Sequence, residues 1–376
     1  MGRTALIGTF DVLNYGDQLF PYVFDFEIKK RLPSESIEYF GPYGDRNHEI
    51  PIESLIDWPV ERMLSHFDTI VIGGGDIIRA DEEILNSHYI EHPKYSKNHH
   101  PLEAMLMRCS YFRRGKNRPN FLWNAPGVHS VDAKFIKKHL ENVSYISVRD
   151  EYSAEKVSKF AKTEVHVVPD TALLVESMFS HGVVEYQKLK EEFAVKIKGI
   201  SKGKKVLGFH VNKWFIESDE QFELIANYLM RLNAELNILV VLIPIGICHG
   251  DKAILEKIER LGEGEFELYD VSGDPLETAA LIGSLDYLVS SSLHANITAS
   301  SFSVPHLAIN TKKWPKTNGF LSHISHQNVL TCWSEFSKEM DRLLSLDGCV
   351  NLAHIENAKN IISRHFDIIA KRISKG

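Results

Sequence analysis

The sequence lacks the features that mark secreted, membrane-spanning or nucleic-acid-binding chains. It has only four cysteines in 376 residues, Cys109, Cys248, Cys332 and Cys349. No two of them stand at a CxxC spacing, so reduced thiols, a cytoplasmic protein and no metal site are expected. No stretch approaches the roughly 18 apolar residues of a membrane span. The N-terminal apolar run is short and soon meets Asp11, which is not a signal-peptide core. Leu6 stands where a myristoylation signal after Gly2 needs Ser or Thr. Positive charge is not in excess: 43 Lys and Arg against 50 Asp and Glu give −7. A nucleic-acid partner is therefore not expected. There is also no Walker loop, no GxGxxG, no internal repeat and no low-complexity tract.

What is present is a steady alternation of short apolar runs and amphipathic stretches. Strand-like runs lie at Ala5–Gly8, Ile37–Phe40, Thr69–Gly73, Asn120–Asn124, Ser144–Val148 and Val165–Val168. In the second half they lie at Lys205–His210, Asn237–Ile243, Phe266–Tyr269, Tyr287–Val289 and His306–Ile309. Runs such as Ile70 to Ile72 and Ile238 to Ile243 show no polar alternation, which predicts parallel strands buried on both faces. Between them, Phe222, Ile225, Leu229, Leu232 and Leu236 repeat at helical spacing, as do Val131, Phe135, Ile136 and Leu140. The rhythm breaks between Thr171 and Val184. We therefore expect an α/β chain of two Rossmann-like domains with parallel sheets, residues 1–175 and 185–350, and a closing C-terminal helix in 351–376. The polar segment 88–101, with His88, His92, His99 and His100, reads as a surface loop.

Ligands in open parallel sheets bind beyond the carboxyl ends of the strands, so the active site is expected there, in a cleft between the two domains. Asn14, Gly16 and Asp17 follow the first strand, where a helix start offers amides to an anion or is capped by the carboxylate. Gly73, Gly74 and Gly75 follow a buried strand and imply a sharp turn or close backbone approach. Asp76 and Arg79 come just after. Arg149, Asp150 and Asp170 end two further strands. Ser290, Ser291, Ser292 and His294 join a strand to a helix of small residues, a junction suited to an anion, with His294 placed for hydrogen bonding or proton transfer. Lys312 and Lys313 follow the next strand as candidate cations. His249 and Asp251 form another candidate pair.

The order of these motifs resembles the polysaccharide pyruvyl transferase family. It comprises Asn14-x-Gly16-Asp17, the triple glycine, Arg149-Asp150-x-x-Ser153 and Pro169-Asp170. Leu293-His294-Ala295 and Val304-Pro305 complete it. The resemblance runs from about residue 4 to about residue 320. It implies a GT-B-like fold, phosphoenolpyruvate as donor substrate with no cofactor, and a glycan or lipid-linked saccharide as acceptor. The product is a pyruvate ketal on a cell-surface polysaccharide or exopolysaccharide. Peripheral association with the inner face of the membrane is left open. On this reading His294 and the neighbouring amides hold phosphate, while Arg149 and a lysine add charge. Asp17 or Asp170 is the acid/base. One departure stands out: the family usually has arginine two residues before the motif histidine, and here that residue is Ser292. Either Lys312, Lys313, Arg79 or Arg149 compensates, or the donor differs. A GT-B-like glycosyltransferase using a nucleotide sugar is the alternative.

Overall fold

The computed structural model describes residues 2–46, 49–79, 89–90, 92, 94–96, 119–181, 183–270, 273–345 and 351–375. It contains two parallel sheets. In the first, β1 (Arg3–Ile7), β2 (Ser36–Gly41), β3 (Ile52–Ser54), β4 (Thr69–Gly73), β5 (Asn120–Asn124), β6 (Val143–Val148) and β7 (Val165–Val167) lie in the order β3-β2-β1-β4-β5-β6-β7. In the second, β8 (Lys205–His210), β9 (Ile238–Leu242), β10 (Phe266–Leu268), β11 (Tyr287–Ser290), β12 (His306–Ile309) and β13 (Val329–Leu330) lie in the order β10-β9-β8-β11-β12-β13. Both orders run outward from the first strand in one direction and then restart on its other side, the doubly wound pattern of Rossmann-type sheets.

The apolar runs explain why these strands are interior. Every residue of β4 and of β9 is buried, so both faces are covered and no polar alternation is tolerated. The short edge strands β3 and β13 were not among the expected strands. Three and two residues carry no periodicity to read. The helix Asp219–Leu236 buries Phe222, Ile225, Leu229 and Leu232 against the second sheet. Asp219 and Glu220 in its first turn suit the helix dipole, and Asn237 ends it in the left-handed conformation with φ 55°. Leu236, part of the expected stripe, is exposed instead. The segment 88–101 lies largely outside the described residues.

The chain divides into two units. The first comprises Met1–Val12, Asp17–Thr171 and Asn357–Gly376, the second Leu13–Gly16 and Ala172–Glu356. The C-terminal helix Leu352–Ile373 thus contributes most of its length to the first unit. There Phe366 packs edge-on to Phe24 with ring centroids 6.1 Å apart, and Arg31 reaches Asp367 at 2.7 Å. His365 joins Tyr145 and Asn124, each at 2.9 Å. No helix among the described residues is long and apolar enough to cross a membrane.

Strand order also fixes where to look for a site. It reverses between β1 and β4 in the first sheet and between β8 and β11 in the second. Backbone diverges at the carboxyl ends of such a pair and leaves a crevice.

Candidate active site

In the first unit the crevice beyond β1 and β4 is lined by Thr9 and the glycine turn. The Thr9 hydroxyl donates to Asp17 Oδ1 at 3.0 Å. Gly75, at φ +73°, lies so close to Asp17 that a Cβ there would overlap its carboxylate. Gly74, at φ +86°, has a different neighbour: a Cβ would fall 2.5 Å from Cγ of the buried Phe20. Packing and backbone conformation therefore demand glycine at Gly74, whether or not ligand approaches it. Gly73 is confined by packing alone, since a Cβ there would stand 2.6 Å from that of Asn124. Arg79 is partly buried, one residue beyond the bridge between Ile78 and Val128.

Arg149 lies just past β6 and is almost wholly buried, 4% exposed. Three carboxylates surround it: Asp76 at 3.2 Å, Asp150 at 3.6 Å and Asp170 at 3.7 Å. Burial opposes its charge, but attraction from Asp76, Asp170, Asp150 and Asp17 outweighs burial and raises its pKa above the ordinary value. Gly127 packs on this cluster, since a Cβ there would stand 2.6 Å from both Arg149 Cζ and Asp76 Oδ1. Asp150 has a second task. It caps the helix Glu151–Ser158, accepting the Ser153 N–H at 2.7 Å. A guanidinium already ringed by carboxylates has little charge left for an anionic donor, so Arg149 is better suited to position these carboxylates than to clamp a phosphate.

In the second unit the crevice lies between His210, which ends β8, and Ser290, which ends β11 and pairs with it in register. Asp251 accepts from His210 Nε2 at 2.7 Å. The other ring nitrogen, Nδ1, meets the Ser290 hydroxyl at 3.1 Å. Ser290 Oγ in turn accepts the Ser292 N–H at 3.0 Å. Asp251 also accepts from Asn212 Nδ2 at 2.5 Å and from the Gly246 N–H at 2.7 Å. Burial alone would raise the Asp251 carboxyl. The neighbouring His210, with the Gly246 N–H, holds it below its ordinary value. Asp251 thus hydrogen-bonds His210, and His249, the other member of the candidate pair, also acts on its charge. Neither His210 nor Asn212 was singled out from the sequence, although His210 ends a strand and so satisfies the rule that nominated Asp170.

This network sets the turn from which the helix Leu293–Ser301 starts. Ser292 caps it by accepting the Ala295 N–H at 3.3 Å, and Ser291 Oγ accepts the Asn212 N–H at 2.9 Å. His294 sits in the first turn, 9% exposed, with no acidic residue beside it there. The segment Leu13–Gly16 is stitched over this region. Asn14 bridges Gly246, the Tyr15 N–H donates to the Ile245 carbonyl at 3.1 Å, and Tyr15 meets Thr298 at 2.5 Å. Gly16 then abuts the His294 ring so closely that any Cβ would overlap it. Lys312 is an exposed residue paired with Glu217. Lys313 adopts φ +54° in the adjoining turn. Asp251→Ala should cost about 3 kcal/mol or more, because three buried donors lose their acceptor. A denaturation midpoint within error of wild type would show that the network does not hold the turn.

Solved structures share this two-sheet architecture. A UDP-GlcNAc 2-epimerase from Neisseria meningitidis, solved with UDP-GlcNAc, is 11% identical over all of both chains, TM-score 0.59. A putative UDP-N-acetylglucosamine 2-epimerase from Listeria monocytogenes is 9% identical over 100% of this chain and 97% of that one, TM-score 0.61. Anabaena HepE, in complex with UDP and glucose, is 11% identical over 100% and 99%, TM-score 0.57. At such identities they establish the fold class alone, an α/β chain of GT-B type with two Rossmann-like sheets. No curated protein matches the chain. The family model for polysaccharide pyruvyl transferase matches residues 14–313, and the chain belongs to that family. It is a transferase that acts on polysaccharide.

Proposed function

We propose that the chain transfers the pyruvyl group of phosphoenolpyruvate to two hydroxyls of one sugar, forming a cyclic ketal. The acceptor is a glycan or a lipid-linked saccharide, met in the cytoplasm at the inner face of the membrane. The family match across residues 14–313 carries this reading. The start of the helix Leu293–Ser301, with no acidic residue in its first turn, supports it, because amides and His294 there suit a phosphate. In the reaction the donor's methylene carbon gains a proton and its central carbon becomes electrophilic. One sugar hydroxyl attacks that carbon, phosphate departs, and the second hydroxyl closes the ring. Of the two hydroxyl protons, one balances the proton gained by carbon and the other leaves with phosphate. His294 is assigned to the departing phosphate. In the first unit, Asp17 and Asp170 are the carboxylates assigned to proton transfer, with Arg149 beside Asp170. No cofactor enters this scheme.

The test is phosphate release with appearance of the ketal, alongside thermal shifts with phosphoenolpyruvate and with UDP-sugars. Ser292 in place of arginine is the observation that favours a nucleotide-sugar donor instead. Stabilisation by UDP-sugars and not by phosphoenolpyruvate would move the assignment to a glycosyltransferase. Ser292→Arg discriminates further. It removes a helix cap, which costs about 1 kcal/mol of stability. It also adds a fork for carboxylate or phosphate and should tighten phosphoenolpyruvate binding about tenfold. Unchanged or weaker binding would count against a phosphoenolpyruvate site at this turn.

A further inference from the structure

Beside the serine turn of the second unit stands a tryptophan that the core does not claim. Trp214 follows β8 in the short helix Lys213–Phe215 and is 40% exposed, whereas Trp333 in the same unit is buried and donates to the Phe215 carbonyl. The Trp214 backbone is nonetheless held firmly. Asn212 Oδ1 accepts the Trp214 N–H at 3.1 Å, while the Asn212 N–H donates to Ser291 Oγ at 2.9 Å. One residue thus fixes both the tryptophan and the turn leading to His294. The Trp214 ring meets His249 at 5.1 Å and Trp314 at 5.9 Å. Trp314 is steadied by Phe215 at 4.7 Å and by Asn310, whose Oδ1 accepts the Trp314 N–H at 2.8 Å.

Two cations complete the surface. Lys213 Nζ lies 5.5 Å from the Trp214 ring centre and Lys316 Nζ 4.8 Å from that of Trp314. Burial, helped by Lys316 and Lys213 and opposed by Asp251, lowers His249 to about 4. It is therefore neutral near pH 7 and can both donate and accept a hydrogen bond. An exposed indole on a fixed backbone suits the apolar face of a pyranose ring. A neutral imidazole suits its hydroxyls, and ammonium groups suit an attached phosphate or carboxylate.

We infer that Trp214, Trp314 and His249 form a saccharide shelf, with Lys213 and Lys316 facing an anionic substituent of the sugar. Naming its occupant as the acceptor rests on the pyruvyl-transfer reading; the shelf itself does not. Calorimetric titration of the full chain with galactose 1-phosphate, methyl β-galactoside, inorganic phosphate, UMP and phosphoenolpyruvate tests it. Galactose 1-phosphate should bind more tightly than either methyl β-galactoside or phosphate. Trp214→Ala should weaken that binding about tenfold and Trp214→Phe should restore most of it, with the loss falling on the saccharide and not on phosphoenolpyruvate. Equal saccharide affinity in wild type and Trp214→Ala overturns the shelf. So does binding of UMP without saccharide, which would mark a nucleobase platform, and so does phosphate binding as tightly as the sugar phosphate. Binding of phosphoenolpyruvate with no saccharide also overturns the shelf alone. Saccharide binding lost in Trp214→Ala, in a chain that ignores phosphoenolpyruvate, supports the shelf and overturns only the donor assignment.

Discussion

Gly16→Ala should reduce transfer at least about hundredfold in a protein that still folds. The new Cβ would overlap the His294 ring, 2.6 Å from Cε1 and closer still to Nδ1 and Cγ. His294 is buried on the first turn of its helix, so the ring cannot simply swing into solvent. The helix containing Gly16 has no such difficulty, since alanine favours a helix over glycine by about 1 kcal/mol, which offsets part of the strain. The burden falls on the position of His294. A displacement of about 1 Å at a catalytic group costs on the order of a hundredfold in rate. The check is kcat for ketal formation beside circular dichroism and melting temperature. Full activity with a normal melt would separate His294 from the reaction.

Acidification from pH 7.5 to pH 5 should destabilise both units. His365 is buried in the first unit, where its Nδ1 accepts from Tyr145 and its Nε2–H donates to Asn124, each at 2.9 Å. Burial, aided by His166 and Arg31, lowers it to about 3. In the second unit His306 and His326 stack with ring centres 4.1 Å apart. Burial is again the leading cause that brings His326 to about 4 and His306 well below its ordinary range. Unfolded histidine titrates near 6.5, so below that pH the unfolded chain binds protons that the folded chain refuses. Stability is full above about 6.5 and falls as pH drops toward 3 to 4. At pH 5 the loss is about 2 kcal/mol for His365 and a similar amount for His326. Chemical denaturation at the two pH values measures it. His365→Gln should be less stable at pH 7.5 yet show a shallower pH dependence, and a slope identical to wild type would refute the assignment.

The strands were legible because parallel strands covered on both faces must be continuously apolar, as Ile70 to Ile72 and Ile238 to Leu242 are. The short edges β3 and β13 were not, because so few residues leave no pattern. Candidate residues at strand ends were legible wherever composition was unusual, as at the triple glycine and the triple serine. Their partners were not. His210 meets Ser290 and Asp251 only after folding brings together positions 80 and 41 residues apart. Charge was the least readable property. Arg149 reads in sequence as a cation next to Asp150, yet Asp76 and Asp170 also converge on it from two other segments. Gly74 shows the same limit, since Phe20, which requires it to be glycine, is far away in the chain.

The division of the chain has a consequence for synthesis on the ribosome. Domains usually fold in the order in which they emerge. Here the unit that begins first needs Asn357–Gly376, made after the whole of the second unit, including the His365 that joins Tyr145 and Asn124. The second unit, by contrast, can be completed beforehand, because its early contribution, Leu13–Gly16, has long since emerged. The nascent first sheet must therefore wait, its Tyr145 and Asn124 without their histidine partner, until residues 357–376 have emerged. A stop codon before residue 357 would leave the N-terminal half unfinished and the C-terminal half nearly whole.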